Sequence, residues 1–156
     1  MKRIFTVICF ALACTAIQAQ VCTPDTTIKQ TGMYPRNLPD GMVGVNYNET
    51  IQFRFPKDTT YSGFPVPIDS VQIYSVTQQP SGFTYECSSS DCKYKGGTNG
   101  CVVFNGSPSS AQKGNYYVKV TALVKVTFGG SSFWAPYQDS LSFHIVGKKG
   151  IFDQPG

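Results

Sequence analysis

The chain has 156 residues, with 13 Lys and Arg against 9 Asp and Glu, a formal charge of +4, and 41% hydrophobic residues. That length suits one domain with a real core. The basic residues are scattered and no basic run is interleaved with stacking aromatics, which excludes a nucleic-acid binder, and no segment is long and apolar enough to span a membrane.

The N-terminus has the build of a secretory signal peptide: Lys2 and Arg3, an apolar run from Ile4 to Ala13, then small residues up to Ala19. Residues 1–19 are read as that signal, with cleavage after Ala19; lipidation at Cys14 is the weaker alternative. Removing 19 of 156 residues leaves 137 and takes away Lys2 and Arg3, so the charge falls from +4 to +2. The mature protein is expected outside the cell, at the cell surface or in the periplasm. Four of the six cysteines remain, Cys22, Cys87, Cys92 and Cys101, and an even number in an exported chain reads as two disulfides. The favoured pairing is Cys87–Cys101 across a hairpin with Cys22–Cys92. The other is a small loop, Cys87–Cys92, with Cys22–Cys101.

Residues 20–46, rich in Pro, Gly, Thr and Asp, form an extended leader with one short edge strand, because Pro35 and Pro39 exclude a central one. From Tyr47 to Phe55 apolar and polar residues alternate, which predicts a strand. Pro56 to Pro67 is expected as a loop, Ser70 to Val76 as a strand, Pro80 to Gly82 as a turn and Phe83 to Cys87 as a short strand. A polar loop from Ser88 to Gly100 leads to a strand from Cys101 to Phe104 and a long turn from Gly106 to Gly114. The clearest signal follows. From Gly114 to Phe128 the chain alternates without a break, with Tyr116, Val118, Val120, Ala122, Val124, Val126 and Phe128 on one face. Side chains alternate across a strand, so this is a long strand with one dry face. Gly129 to Ser132 turns the chain. Phe133 to Val146 is the last strand, with a bulge or bend at Pro136, and residues 147–156 form a loose tail. About seven strands at regular spacing, with no helical period, predict an all-β antiparallel sandwich over residues 47–146, stapled by disulfides.

Two segments add a resemblance. One is Leu38-Pro-Asp-Gly-Met-Val-Gly-Val-Asn-Tyr47, ahead of an alternating strand. The other runs from Gly82-Phe-Thr-Tyr85 through Cys101-Val-Val-Phe-Asn-Gly-Ser-Pro108 to Gly114-Asn-Tyr116. This order resembles the immunoglobulin-like (cadherin-like) domains of secreted Bacteroidota surface proteins. The resemblance covers roughly residues 22–146 and implies an immunoglobulin-like sandwich and a role at the cell surface. Many such proteins carry a further sorting domain for type IX secretion; the sequence ends at Gly156 without one, so either attachment by that route is not expected or the chain is a fragment of a longer protein.

No catalytic centre is expected. His144 sits on the outward face of a strand, no Gly-x-Ser-x-Gly elbow is present, and the aspartates are dispersed. No cofactor or metal site is expected either, since calcium or zinc would need clustered ligands. The sharper candidates are aromatic. Phe133, Trp134 and Tyr137 follow a glycine turn, and Tyr94 lies in another loop; flat rings there can stack on sugar. The competing reading packs Trp134 over the core end or the edge of the last strand. The expected function is a secreted, non-catalytic binding or adhesion module for a protein or glycan at the cell surface. The alternatives are a carbohydrate-binding module using Trp134 and nearby tyrosines, and a structural spacer.

Overall fold

A computed structural model describes residues 21–148; the expected signal peptide with its cleavage point, and residues 149–156 of the expected tail, lie outside the described residues. Ten strands are described: β1 (Gly32–Tyr34), β2 (Gly41–Met42), β3 (Tyr47–Arg54), β4 (Asp58–Tyr61), β5 (Phe64–Thr77), β6 (Thr84–Cys87), β7 (Lys93–Tyr94), β8 (Asn99–Gly106), β9 (Gly114–Phe128) and β10 (Ser131–Val146). They form a four-stranded sheet, β1-β3-β8-β6, and a six-stranded sheet, β2-β10-β9-β5-β4 with β7 beside β5. Tyr47, Ile51 and Phe104 of the first sheet share one buried cluster with Val118, Leu141 and Phe143 of the second. The molecule is therefore all-β, two-layered and sandwich-like, with two disulfides.

The ten strands exceed the seven expected because short pieces hide in segments rich in turn residues. The leader holds two strands rather than one. β1 extends one sheet beside β3, and β2 lies parallel to the end of β10 in the other. The predicted loop from Pro56 to Pro67 is a hairpin of β4 with the start of β5. Pro65 and Pro67 are tolerated there because β5 has only β4 as a neighbour until Ile68 meets Val126 of β9.

β9 buries the face its alternation marks, with Val118, Ala122 and Val126 each under 4% exposed. It pairs with β10 without a break from Ile145↔Gly114 to Ser131↔Phe128. The connection is Gly129 (φ 59°) and Gly130 (φ 80°), and a two-residue turn with both φ positive suits the twist of a hairpin. The bulge expected at Pro136 is absent from this ladder; the irregularities lie in β5, at Ile68/Ser70 and Ile73/Ser75. The reason is parity. Ser142 donates its backbone N–H to Arg36 and accepts from Leu38, both beyond the outer edge of β10. Even-numbered residues of this unbroken strand thus aim their backbone groups at that edge. Pro136 is one of them, so its missing N–H removes no bond to β9.

The favoured disulfide pairing is overturned. The bridges are Cys22–Cys101 (Cα–Cα 6.1 Å) and Cys87–Cys92 (5.3 Å). In the β6–β8 ladder Cys87 stands opposite Val102, so both face the core with Phe53 and Ile73. Cys101, one residue earlier, points to the other side of the sheet, where it packs with Cys22 and Val103. A Cys87–Cys101 bridge would have to pass through the sheet. On that outer side the N-terminal segment is held by Gln52, whose side chain accepts from the Asp25 N–H (2.9 Å) and donates to the Thr23 carbonyl (3.1 Å).

Loop length ranks the two bridges. Cys22–Cys101 spans 79 residues and Cys87–Cys92 spans 5. Replacing Cys22 and Cys101 together by Ser is expected to cost about 4 kcal/mol, and replacing Cys87 and Cys92 about 2 kcal/mol. Urea denaturation of the two double variants checks this; equal losses would contradict it.

Candidate functional site

The β9–β10 hairpin outreaches the sheet that should cover it. β9 has 15 residues and β10 has 16, while β3 and β8 have 8 each. At about 3.4 Å per residue the hairpin runs roughly 50 Å against a cover of roughly 27 Å. One half of its inner face meets Tyr47, Ile51 and Phe104 and is dry. The other half joins Val66, Ile68 and Val71 of β5, with Phe55, Val124 and Phe133 only partly buried against it.

Between the halves the sheets separate around a crevice of about 380 Å³. Phe53 and Phe55 wall it from the smaller sheet. Ile68, Val71, Val120, Ala122 and Val124 wall it from the larger one, and Ala135 faces Val124 across the ladder. A smaller void of about 30 Å³ lies on the core side, and Met33, Phe53, Ile73 and Val120 line both spaces. Polar groups stand at the rim: Thr31 beside β1, Thr59 to Tyr61 of β4, and Tyr137 and Asp139 of β10. Asp139 Oδ1 accepts from Arg36 Nη1 (2.7 Å) and from the Ser140 N–H (2.8 Å), and this hydrogen bond raises the Arg36 pKa. Beyond the rim, Tyr61 lies 5.0 Å from Phe133 and 5.6 Å from Phe128, and Phe64 lies 6.4 Å from Phe128, ring centre to ring centre. These rings form a collar on the neighbouring β4–β5 and β9–β10 hairpin tips.

The four aromatic residues singled out from the sequence do not form one site. Phe133 and Tyr137 line the crevice. Trp134 projects from the opposite face of β10, 46% exposed, with Lys93 Nζ 5.8 Å from its ring centre. Tyr94 is a packing residue: its ring lies 4.9 Å from Phe53, and its hydroxyl is 3.2 Å from Ser88 Oγ. Sequence reasoning missed Phe55, Val124 and Ala135 as a wall. The available signal was length, since the alternating stripe of β9 is far longer than the predicted strand from Cys101 to Phe104.

Other polar groups are structural. Tyr116 Oη donates to the Gln112 carbonyl (2.9 Å) and Tyr47 Oη to the Pro39 carbonyl (3.0 Å). Burial, followed by the charges of Glu49 and Asp40, pushes the Tyr47 pKa up. Asp91 is held below the usual carboxylate range by hydrogen bonds from Ser89 and the Lys93 N–H, which close the turn around Cys92. His144 is exposed, with Nδ1 3.4 Å from Asp40 Oδ1. Among the described residues no three of His, Cys, Asp and Glu gather as a metal site would need, and no helix is long and apolar enough to cross a membrane. The two disulfides point to an oxidising extracellular or periplasmic environment.

No protein-family model and no characterised protein matches the chain by sequence. Among solved structures it is similar to an endo-fucoidan hydrolase from glycoside hydrolase family 107, at 14% identity and a TM-score of 0.34, over 72% of this chain and 13% of that one. It is also similar to the VesB protease of Vibrio cholerae, at 12% identity and 0.33, over 69% of this chain and 29% of that one. Likenesses this slight carry no inference about fold or chemistry, and the chain spans under a third of either protein.

The placement of the aromatics can be tested by stability. Tyr94→Ala is expected to cost about 3 kcal/mol and Trp134→Ala less than about 1 kcal/mol. Chemical denaturation gives both values, and the reverse order would contradict the assigned faces.

Proposed function

We propose that the chain is an exported, non-catalytic binding module built on an immunoglobulin-like sandwich, with its ligand site in the crevice between the sheets. The observation that carries this reading is the crevice itself: about 380 Å³ of open space on an otherwise well-packed apolar face. Ligand sites are mostly apolar concavities of about 300–1,000 Å³ with a few polar groups that orient the ligand.

The immunoglobulin-like part is supported by topology. With β4 and β7 set aside, β1, β3, β5, β6, β8, β9 and β10 correspond in order to strands A to G. The sheets then read A-B-E-D and G-F-C, with β2 beside G. Tyr116 near the start of β9, bonded back to the Gln112 carbonyl, matches the tyrosine corner of such domains. The disulfides are placed differently, since neither joins β3 to β9. The signal-peptide pattern and the resemblance to secreted Bacteroidota surface domains support export and an adhesive role towards a protein or glycan at the cell surface.

A hydrophobic fluorophore, anilinonaphthalene sulfonate, serves as a probe of the crevice. The folded protein is expected to bind it saturably, and Ala135→Trp, which fills the space beside Val124, is expected to abolish the signal without lowering the melting temperature. No signal, or one untouched by Ala135→Trp, would sink the crevice as the site.

The exposure of Trp134 favours a second reading, a carbohydrate-binding module acting through the outer face of β10. A glycan array probed with the protein and with Trp134→Ala separates the two. A hit lost in Trp134→Ala would move the site to that face.

A further inference from the structure

We propose that the crevice is an acyl-chain site, taking the hydrocarbon tail of an amphiphile between the two sheets with its polar head at the rim. This rests on the crevice being a ligand site and names what it holds.

The walls set the chemistry. The lining is mostly Phe, Ile, Val, Ala, Met and Pro; the polar side chains are Thr31, Thr59, Thr60, Tyr61, Tyr137, Asp139 and Arg54, the last engaged with Asn99. A sugar ring pushed inside would leave several hydroxyls without partners, each at a desolvation cost. A hydrocarbon has no such groups to strand, and each methylene it buries adds to the affinity.

The shape narrows it further. The lining follows β9 from Val126 to Val120, about 20 Å at roughly 3.4 Å per residue, and Ile73 and Met33 also line the smaller void. A lining spread over that length of one strand suits an extended chain better than a compact ring. At its mouth Thr59, Thr60, Tyr61 and Tyr137 offer hydroxyls, and the Arg36–Asp139 pair offers charge, for a head group. Phe64 and Phe128, 61% and 41% exposed, extend the apolar surface outward from the mouth.

The edge of β10 argues against a peptide strand or a second copy as the occupant. Among the described residues the outer side of β10 has no partner strand from Ser131 to Leu141. Strand addition there needs a run of backbone donors aimed outward. Pro136 is one of the outward-aimed residues and sits in the middle of that run, so the donor series is interrupted, as in edges guarded against pairing.

The test is titration of the folded protein with the fluorescent polyene fatty acid cis-parinaric acid, followed by displacement with oleate. Saturable binding displaced by oleate is expected. Val124→Asn, which puts an unpaired amide on the wall, and Ala135→Trp should each weaken it about tenfold or more. Trp134→Ala, on the opposite face, should leave it within about twofold. Two wall variants are used so that one misfolded variant does not decide the result; melting curves check both. Co-sedimentation with phosphatidylcholine vesicles separates the sources. Binding lost in the wall variants indicates a tail drawn from a bilayer, and no co-sedimentation indicates a free amphiphile; each agrees with the proposal when cis-parinaric acid binds. If anilinonaphthalene sulfonate occupies the crevice but cis-parinaric acid does not, the acyl assignment is overturned and the binding site stands. If neither binds, both fall. Concentration-dependent dimerisation lost in Ala135→Trp would overturn the proposal in favour of a second copy.

Discussion

One mismatch of length governs this structure. The β9–β10 hairpin carries an apolar stripe along nearly its whole inner face, and the strands of the facing sheet are about half as long. Where the sheets overlap, Tyr47, Phe83, Phe104 and Phe143 pack ring against ring, with centroids 4.8 to 6.1 Å apart. Beyond that overlap, Val124 and Phe133 stay partly wet. Full burial of a valine contributes about 1.5–3 kcal/mol, so partly buried Val124 falls short of that stabilisation while Val66, Val71 and Val126 beside it reach it. The crevice, its polar rim and its aromatic collar all follow from this overhang.

The N-terminal segment keeps the short sheet in register with the long one. Cys22 is tied to Cys101 on the outer side of β8, Gln52 clasps Thr23 and Asp25, and Asn99 donates to the Ile28 carbonyl (3.0 Å). The chain then passes from β1 in one sheet to the stretch beside β10 in the other, where Leu38 is buried in the core shared by both. Residues that look like a linker by composition therefore clamp both layers. The same clamp leaves the first half of the outer edge of β10 bare, which is where the crevice opens.

The fold was legible where period and burial agree. β9 could be read residue by residue, because a dry face every second residue has one structural solution. The leader and the stretch from Pro56 to Pro67 were not, because Pro and Gly mark turns and edge strands alike, and only the neighbours present decide which forms. The disulfide pairing was hidden for a related reason. It depends on which residue of β8 stands opposite Cys87, and a shift of one residue reverses the face. Of the aromatic residues singled out from the sequence, Phe133 and Tyr137 line the crevice. It could not tell that Trp134 faces away or that Tyr94 packs on Phe53, since those depend on register and on a neighbouring strand.

The central claim is that the inner face of β9 is unevenly covered, with Val120 and Val124 within reach of solvent and Val118 and Val126 closed off. Methyl NMR of the valines in the presence of a soluble paramagnetic agent reads this directly. The methyls of Val120 and Val124 should relax strongly, while those of Val118 and Val126, each 2% exposed, should be protected. If all four valines were equally protected, the sheets would be closed over the stripe and the account of the crevice would be wrong.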